Sequence, residues 1–92
     1  MTSIVVYIAE RCTLCERALE VVRGAQAELG FELAVVDIEG VAELEARYRE
    51  LIPVVEIDGE RAFTYFVEAS ALRERVRIAV LSTKSEAPQA ES

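Results

Sequence analysis

The sequence predicts an α/β fold with the element order β-α-β-α-β-β-α, in which helices flank a four-stranded mixed sheet. Three observations predict this fold: one amphipathic helix separates the first two apolar segments, a two-residue turn separates the last two, and helical periodicity returns over residues 68–81. Strands on either side of a helix are normally parallel, whereas strands joined by a two-residue turn are antiparallel. The sheet is therefore predicted to contain both kinds of pairing.

The first three elements are predicted from a change in the period of the apolar residues. Residues 3–8 form a near-continuous β-branched and aromatic run, which is typical of a buried strand. Gly30 is a natural C-cap for the helix that follows, and residues 31–36 read as the second strand. A right-handed crossover then makes the first two strands parallel. The apolar stripe with which this helix is expected to face the core comprises Leu14, Ala18, Val21, Val22, Ala25 and Leu29.

The second half of the chain predicts a shorter helix, a hairpin and a last helix. Pro53 cannot continue the helix predicted from the spacing of Val41, Leu44 and Tyr48, and it favours an extended backbone before it. Asp58 and Gly59 separate strands 54–57 and 60–64, and this pair is typical of a type I′ turn. The last helix is predicted over residues 68–81, and its apolar face comprises Leu72, Val76, Ala79 and Val80.

Length, composition and charge narrow the function classes. The 92 residues, 52% of them apolar, suit one domain at 1–81, and the polar residues 82–92 are expected to form a disordered tail. No apolar stretch approaches the ~20 residues of a membrane span, and the N-terminus lacks the basic region of a signal peptide, so a cytoplasmic location is expected. A net charge of −7 disfavours nucleic acids and anionic membranes as partners. We expect a monomer.

Cys12 and Cys15 form a Cys-x-x-Cys pair where the first strand passes into the first helix. The free N–H groups and the dipole of a helix N-terminus stabilise a thiolate at Cys12, and Arg11 adds positive charge. Cys15 lies one turn further on and can attack a mixed disulfide formed at Cys12. The positions suit a nucleophile and a resolving thiol. The chain contains no His, which excludes Cys-His dyads, Ser-His-Asp triads and zinc sites of the Cys/His type.

Other interpretations of the cysteine pair stay open. The cysteines can be small buried apolar residues, or redox-inert or regulatory groups in a binding or adaptor module. They can also handle a soft metal, alone or as half of a Cys₄ site across a dimer. Copper-chaperone-type domains share a Cys-x-x-Cys after the first strand, but their order is β-α-β-β-α-β with a terminal strand. This chain predicts a helix before its third strand and a helix at its end, so we expect no metal site.

Several segments together resemble the glutaredoxin-like domains of the thioredoxin-fold superfamily. The resemblance extends over about residues 3–81 and implies a thioredoxin-like fold. It also implies a thiol-disulfide oxidoreductase that reduces protein or small-molecule disulfides, with Cys12 and Cys15 as its catalytic residues. The segments that carry it are Val6 and Tyr7, the cysteine pair at 12–15, the strand end at 36–38, the helix at 44–49 and the Ile-Pro-Val segment with its turn at 52–59.

The same resemblance implies a substrate-binding role for three further residues. Pro53 would have a cis peptide bond and face the cysteines, the backbone of Ile52 would pair with an extended substrate, and Arg11 is the candidate for receiving a glutathione carboxylate. The Gly-Gly that cradles the other glutathione carboxylate in glutaredoxins is replaced around Glu68, which would repel it. We therefore expect no cofactor beyond the Cys12–Cys15 disulfide, and the use of glutathione as a cofactor is doubtful.

The aromatic residues are expected in the core or in the wall of the site. Their alternating positions fit the two faces of a strand. The residues concerned are Tyr7, Phe63, Tyr65 and Phe66.

Overall fold

The computed structural model describes residues 2–91, and it describes side chains for residues 2–81. The element order is the predicted one. The last helix, which the sequence predicts to end at residue 81, continues to Glu91, so it takes up residues 82–91 of the segment predicted to be a disordered tail. The elements are β1 (Ser3–Ile8), α1 (Thr13–Leu29), β2 (Glu32–Asp37), α2 (Ala42–Tyr48), β3 (Val54–Ile57), β4 (Glu60–Thr64) and α3 (Ala69–Glu91).

The four strands form one mixed sheet in the order β2-β1-β3-β4. β1 pairs in parallel with β2 and antiparallel with β3, where Tyr7 lies opposite Val54. β3 and β4 form the predicted antiparallel hairpin. Asp58 and Gly59 have φ angles of 51° and 87°, and a type I′ turn requires positive φ at both central positions.

The larger core lies between the sheet and helices α1 and α3. Leu72 and Val76 of α3 are buried in it, and Arg73 of α3 pairs with Glu28 of α1 at its edge, with Nε and Oε1 2.6 Å apart. The buried members of this core are Ile4, Val6, Val22, Ala25, Phe31, Val55, Ile57, Leu72 and Val76.

The buried stripe of α1 differs from the predicted one. The buried positions have the 3-4-3 spacing of a narrow helical seam, and Leu14 and Val21 lie at its margin, only half-buried. Leu29, in the last turn, is 40% exposed. Val80 of α3, at the edge of its predicted stripe, is also exposed. The seam of α1 consists of Cys15, Ala18, Val22 and Ala25.

A smaller apolar cluster occupies the face of the sheet that α2 covers. Its buried members are Ala9, Ile38, Tyr48 and Val54, and side chains from β1, α2 and the segment before β3 pack against it. The two faces of the sheet therefore pack against two separate apolar cores. None of the helices in the described part of the chain is long and apolar enough to cross a bilayer.

Candidate active site

The two cysteines lie at the start of α1, where a disulfide joins them across a Cα–Cα distance of 5.1 Å. Cys12 is the N-cap residue, and its Sγ accepts a hydrogen bond of 3.1 Å from the backbone N–H of Cys15. The sulfur therefore occupies the position in which a serine or aspartate oxygen usually caps a helix. Cys12 is half-buried, whereas Cys15 is only 2% exposed. Cys12 is thus the more exposed of the two residues.

Arg11 turns the chain from the end of β1 into the first turn of α1. Its φ angle is 59°, a left-handed conformation that costs a non-glycine residue roughly 1–2 kcal/mol. Its side chain is exposed and makes no ion pair with any residue whose side chain is described. Arg11 is therefore an exposed residue next to Cys12 in sequence, and its predicted role toward substrate stays a prediction.

The segment before β3 contains the second predicted part of the site. The Ile52–Pro53 peptide bond is cis, and the Pro53 side chain is fully buried. The N–H of Ile52 donates to the carbonyl of Tyr48 at 3.0 Å. The N–H of Ile52 is therefore already paired within the chain.

Tyr65 holds this segment in place through three contacts. Its N–H donates to the carbonyls of Leu51 and Pro53 at 3.3 and 3.0 Å, and its hydroxyl donates to the carbonyl of Glu50 at 2.7 Å. Tyr65 has a φ of 67°, since β4 ends one residue earlier and the chain turns there. The alternation of strand faces therefore does not extend to Tyr65. Tyr65 is therefore hydrogen-bonded to three residues of the proline segment.

A cleft of about 420 Å³ opens between α1 and the segment that precedes α3. Leu14, which lies between the two cysteines in sequence, contributes to its wall, whereas neither cysteine lines it. Phe66 was expected in the core or the wall; it lines the cleft but is 73% exposed. The lining residues are Leu14, Arg17, Ala18, Val21, Tyr65, Phe66, Val67 and Glu68.

Sequence comparison identifies the kind of domain to which this geometry belongs. Residues 3–77 match the model of the glutaredoxin-like domain (DUF836). The chain belongs to this glutaredoxin-like family. No curated protein matches the sequence.

Solved structures similar to this glutaredoxin-like domain agree with the assignment. Protein Ne2328 from Nitrosomonas europaea is 30% identical, with a TM-score of 0.66 over 77% of this chain and 86% of that one. Target protein XcR50 from X. campestris is 27% identical, with a TM-score of 0.70 over 82% and 96%. A malaria-parasite thioredoxin-2, 15% identical with a TM-score of 0.69 over 84% and 82%, shares the thioredoxin fold. The predicted fold class is confirmed.

A carboxylate held by two tyrosines lies on the α2 face of the glutaredoxin-like domain. The hydroxyl of Tyr48 donates to Glu56 Oε2 at 3.0 Å, and that of Tyr7 makes a longer contact of 3.5 Å with Oε1. The two rings stack with centroids 4.1 Å apart. Tyr7 and Glu56 share a face because Val5, two residues before Tyr7, pairs with Glu56. Tyr48 thus links this cluster, through its carbonyl, to Ile52.

Burial of Tyr48, followed by its hydrogen bonds and the charge of Glu56, raises its pKa from 10.0 to about 12. The folded state therefore favours the protonated phenol of Tyr48. The contribution of this preference to the free energy of unfolding is complete below pH 10 and is lost as the pH rises toward 12.

Replacing Tyr48 with phenylalanine should lower the free energy of unfolding by about 1–2 kcal/mol at pH 8, since a hydrogen bond to a carboxylate is lost. The difference between the variant and the wild type should shrink between pH 10 and 12. Urea unfolding followed by circular dichroism measures both effects. Tyr7→Phe is the matched control and should cost less, because its contact with Glu56 is longer. A Tyr48→Phe difference that does not change with pH would contradict the assignment.

Proposed function

We propose that this glutaredoxin-like domain is a thiol-disulfide oxidoreductase that reduces disulfides through Cys12 and Cys15. The observation that carries the proposal is the arrangement of the pair: a half-buried Cys12 sulfur at the helix N-cap, joined to a buried Cys15. The backbone N–H of Cys15 that reaches Cys12 Sγ stabilises negative charge on that sulfur. A sulfur that is both accessible and stabilised as a thiolate suits attack on a disulfide.

The reaction begins with the reduced pair. The Cys12 thiolate attacks one sulfur of a substrate disulfide, a mixed disulfide forms, and the other substrate sulfur leaves as a thiolate that takes up a proton. Cys15 then loses its proton and attacks Cys12 Sγ, which releases the second substrate thiolate and closes the Cys12–Cys15 disulfide. Two electrons pass from the pair to the substrate. A low-molecular-weight or protein dithiol must return them before the next cycle.

The surrounding residues take supporting roles in this proposal. The carbonyl of Ile52 would accept a hydrogen bond from an extended substrate, Pro53 would shape the surface beside the pair, and Arg11 would face a substrate carboxylate. The proposal requires no cofactor other than the disulfide itself. A reducing compartment such as the cytoplasm favours the direction proposed, because thiol pools there can regenerate the dithiol.

The proposal is tested by mixing stoichiometric reduced protein with a neutral peptide that carries an intermolecular disulfide. We expect one disulfide to be reduced for each protein molecule, with loss of two protein thiols and formation of the Cys12–Cys15 bond in a peptide map. Dithiothreitol at the same concentration is the reference reductant. A rate no faster than that of dithiothreitol would contradict the proposed function.

Neutral peptide disulfides should be reduced several-fold faster than glutathione mixed disulfides of the same peptide. Glu68 lines the cleft between α1 and the segment before α3, and the net charge of −7 repels an anionic tripeptide. The measurement compares kcat/KM for one peptide bonded either to glutathione or to capped, uncharged cysteine. Glu68→Gln should narrow the difference. A preference for the glutathione form that survives in 1 M salt, where screening extends over only about 3 Å, would contradict this prediction.

A further inference from the structure

We propose that the outer edge of β2 is a docking site for an extended segment of a partner protein, in which a Lys or Arg stands at each end of four β-branched or other apolar residues. The segment adds a fifth strand to the sheet. This inference goes beyond the proposed function, because neither cysteine takes part in it. β2 is an edge strand, since β1 is the only strand that pairs with it in the part of the chain that the structure describes.

The backbone of β2 offers hydrogen-bonding groups to a further strand. The N–H of Glu32 donates to the carbonyl of Thr2, just before β1, at 3.1 Å. The backbone groups of successive residues in a strand point to opposite sides, so the even-numbered residues of β2 face β1, and Leu33, Val35 and Asp37 face away from it. These three residues, spaced two apart, supply the N–H and C=O groups from which a new ladder of hydrogen bonds is built.

The two edges of the sheet differ in how well they are protected against further pairing. β4 begins with the charged residues Glu60 and Arg61, and a register shift interrupts its pairing with β3. Charges and bulges of this kind are common devices against added strands. β2 instead pairs with β1 over six consecutive residues without a shift, and its central residues 33–36 are apolar. Val35 is 37% exposed and Ala34 is exposed on the opposite face, so both faces of this edge present apolar surface to a partner.

The ends of β2 indicate the charge of the occupant. Glu32 and Asp37 are exposed, and neither makes an ion pair with any residue whose side chain is described. They stand five positions apart, a span of about 17 Å, and therefore lie on opposite faces of the strand. A partner strand with Lys or Arg at both ends meets one carboxylate at each end, and the net charge of −7 attracts it at longer range.

The same charges disfavour a second copy of this chain as the occupant. In a two-fold antiparallel pair of β2 strands, opposite residues lie on the same face, so the pair is centred on either Ala34 or Val35. In both registers, Glu32 of one copy lies within one residue of Asp37 of the other at each end of the pair. Like charges at that spacing repel, and so do two chains that each carry a charge of −7. A basic-ended segment of another protein avoids both repulsions.

The experiment measures the binding of fluorescein-labelled peptides to the oxidised full-length protein by fluorescence anisotropy. The test peptide is KVTVTK, capped at both ends, and in the comparison peptide Glu replaces both Lys residues. We expect the Lys-ended peptide to bind more than about tenfold more tightly than the Glu-ended one. Two further versions of the test peptide carry N-methyl groups on alternate residues, in the two possible phases. The phase that blocks the N–H groups facing β2 should abolish binding, and the other should leave the affinity within about twofold.

Protein variants locate the site on the chain. Glu32→Gln combined with Asp37→Asn should lower the affinity for the Lys-ended peptide about tenfold. Asn at position 37 keeps an oxygen for the N–H of Glu39, which Asp37 Oδ1 accepts at 2.9 Å. Glu43→Gln combined with Glu60→Gln is the matched control, because both residues are exposed, lie outside β2 and remove the same charge. The control should bind the peptide as the wild type does.

Hydrogen exchange followed by nuclear magnetic resonance identifies the amides that the peptide covers. The N–H groups of Leu33 and Val35 should exchange at least about tenfold more slowly when the peptide is bound. Protection confined to other amides would refute the docking site, as would equal effects of the two methylation phases or an equal loss of affinity in the control variant.

The remaining outcomes also decide the matter. Absence of binding, or equal affinity for the two peptide charges, would overturn the proposal. Dimerisation of the protein alone, with slowed exchange at the same amides, would replace the basic partner with a second copy. None of these results bears on the oxidoreductase proposal, since no disulfide is reduced in the experiment.

Discussion

Replacing Cys15 with serine is expected to stop the reaction at a covalent complex between Cys12 and substrate, and replacing Cys12 with serine is expected to prevent the first step altogether. Both substitutions should lower the multiple-turnover rate at least a thousandfold, because each removes a sulfur that must form and break bonds. The two variants should stop at different steps because substrate reaches Cys12, which is half-buried, more easily than Cys15, which is 2% exposed.

Intact-protein mass spectrometry after mixing with a peptide disulfide distinguishes the two variants. Cys15→Ser should gain the mass of one peptide thiol, and Cys12→Ser should gain none. In the reduced wild type, iodoacetamide should modify Cys12 before Cys15. Thr13→Ser, at an exposed position of the same turn, is the control and should turn over as the wild type does. A covalent adduct on Cys12→Ser would reverse the assigned roles.

Replacing Leu72 with alanine is expected to have the largest effect on stability, a loss of about 2–5 kcal/mol in the free energy of unfolding. Leu72 is 0% exposed and belongs to the core that joins α3 to the sheet. Truncation leaves a cavity that neighbouring side chains fill only in part. For a domain whose total stability is about 5–15 kcal/mol, such a loss is a large fraction.

Urea unfolding followed by far-ultraviolet circular dichroism suits this measurement, because the chain contains no Trp. Ile78→Ala serves as control, since it removes a similar volume from an exposed position of the same helix. Its free energy of unfolding should change by no more than about 0.5 kcal/mol. Equal losses in the two variants would contradict the packing described for α3.

The fold could be predicted from the sequence because its local signals agree with one another. Gly30 has the left-handed backbone of a helix C-cap, and Asp58 with Gly59 has the two positive φ angles of the expected turn. Errors arose where a side chain lies at the margin of a helical face. Leu29 fits the period of α1 but reaches past the edge of the core, and periodicity alone does not show where a neighbouring surface ends.

Only part of the candidate site could be predicted. Cys12 and Cys15 are visible as a spaced motif at a strand–helix junction. Tyr65 gives no comparable signal, because residues with positive φ are usually Gly or Asn, and its carbonyl partners come from a distant segment. Glu56 inside an apolar strand is a detectable anomaly, but its pairing with Tyr48 depends on how strand and helix meet across the sheet.

The central position of β1 in the sheet has a consequence for biosynthesis. β1 leaves the ribosome before the other elements, yet one of its edges pairs with β3, whose first residue lies 46 positions beyond Ile8. At roughly 5–20 residues per second, that edge stays unpaired for about 2–9 s, and β2 can cover only the opposite one. During this interval the nascent chain carries an apolar strand with free N–H and C=O groups, the kind of segment that molecular chaperones shield.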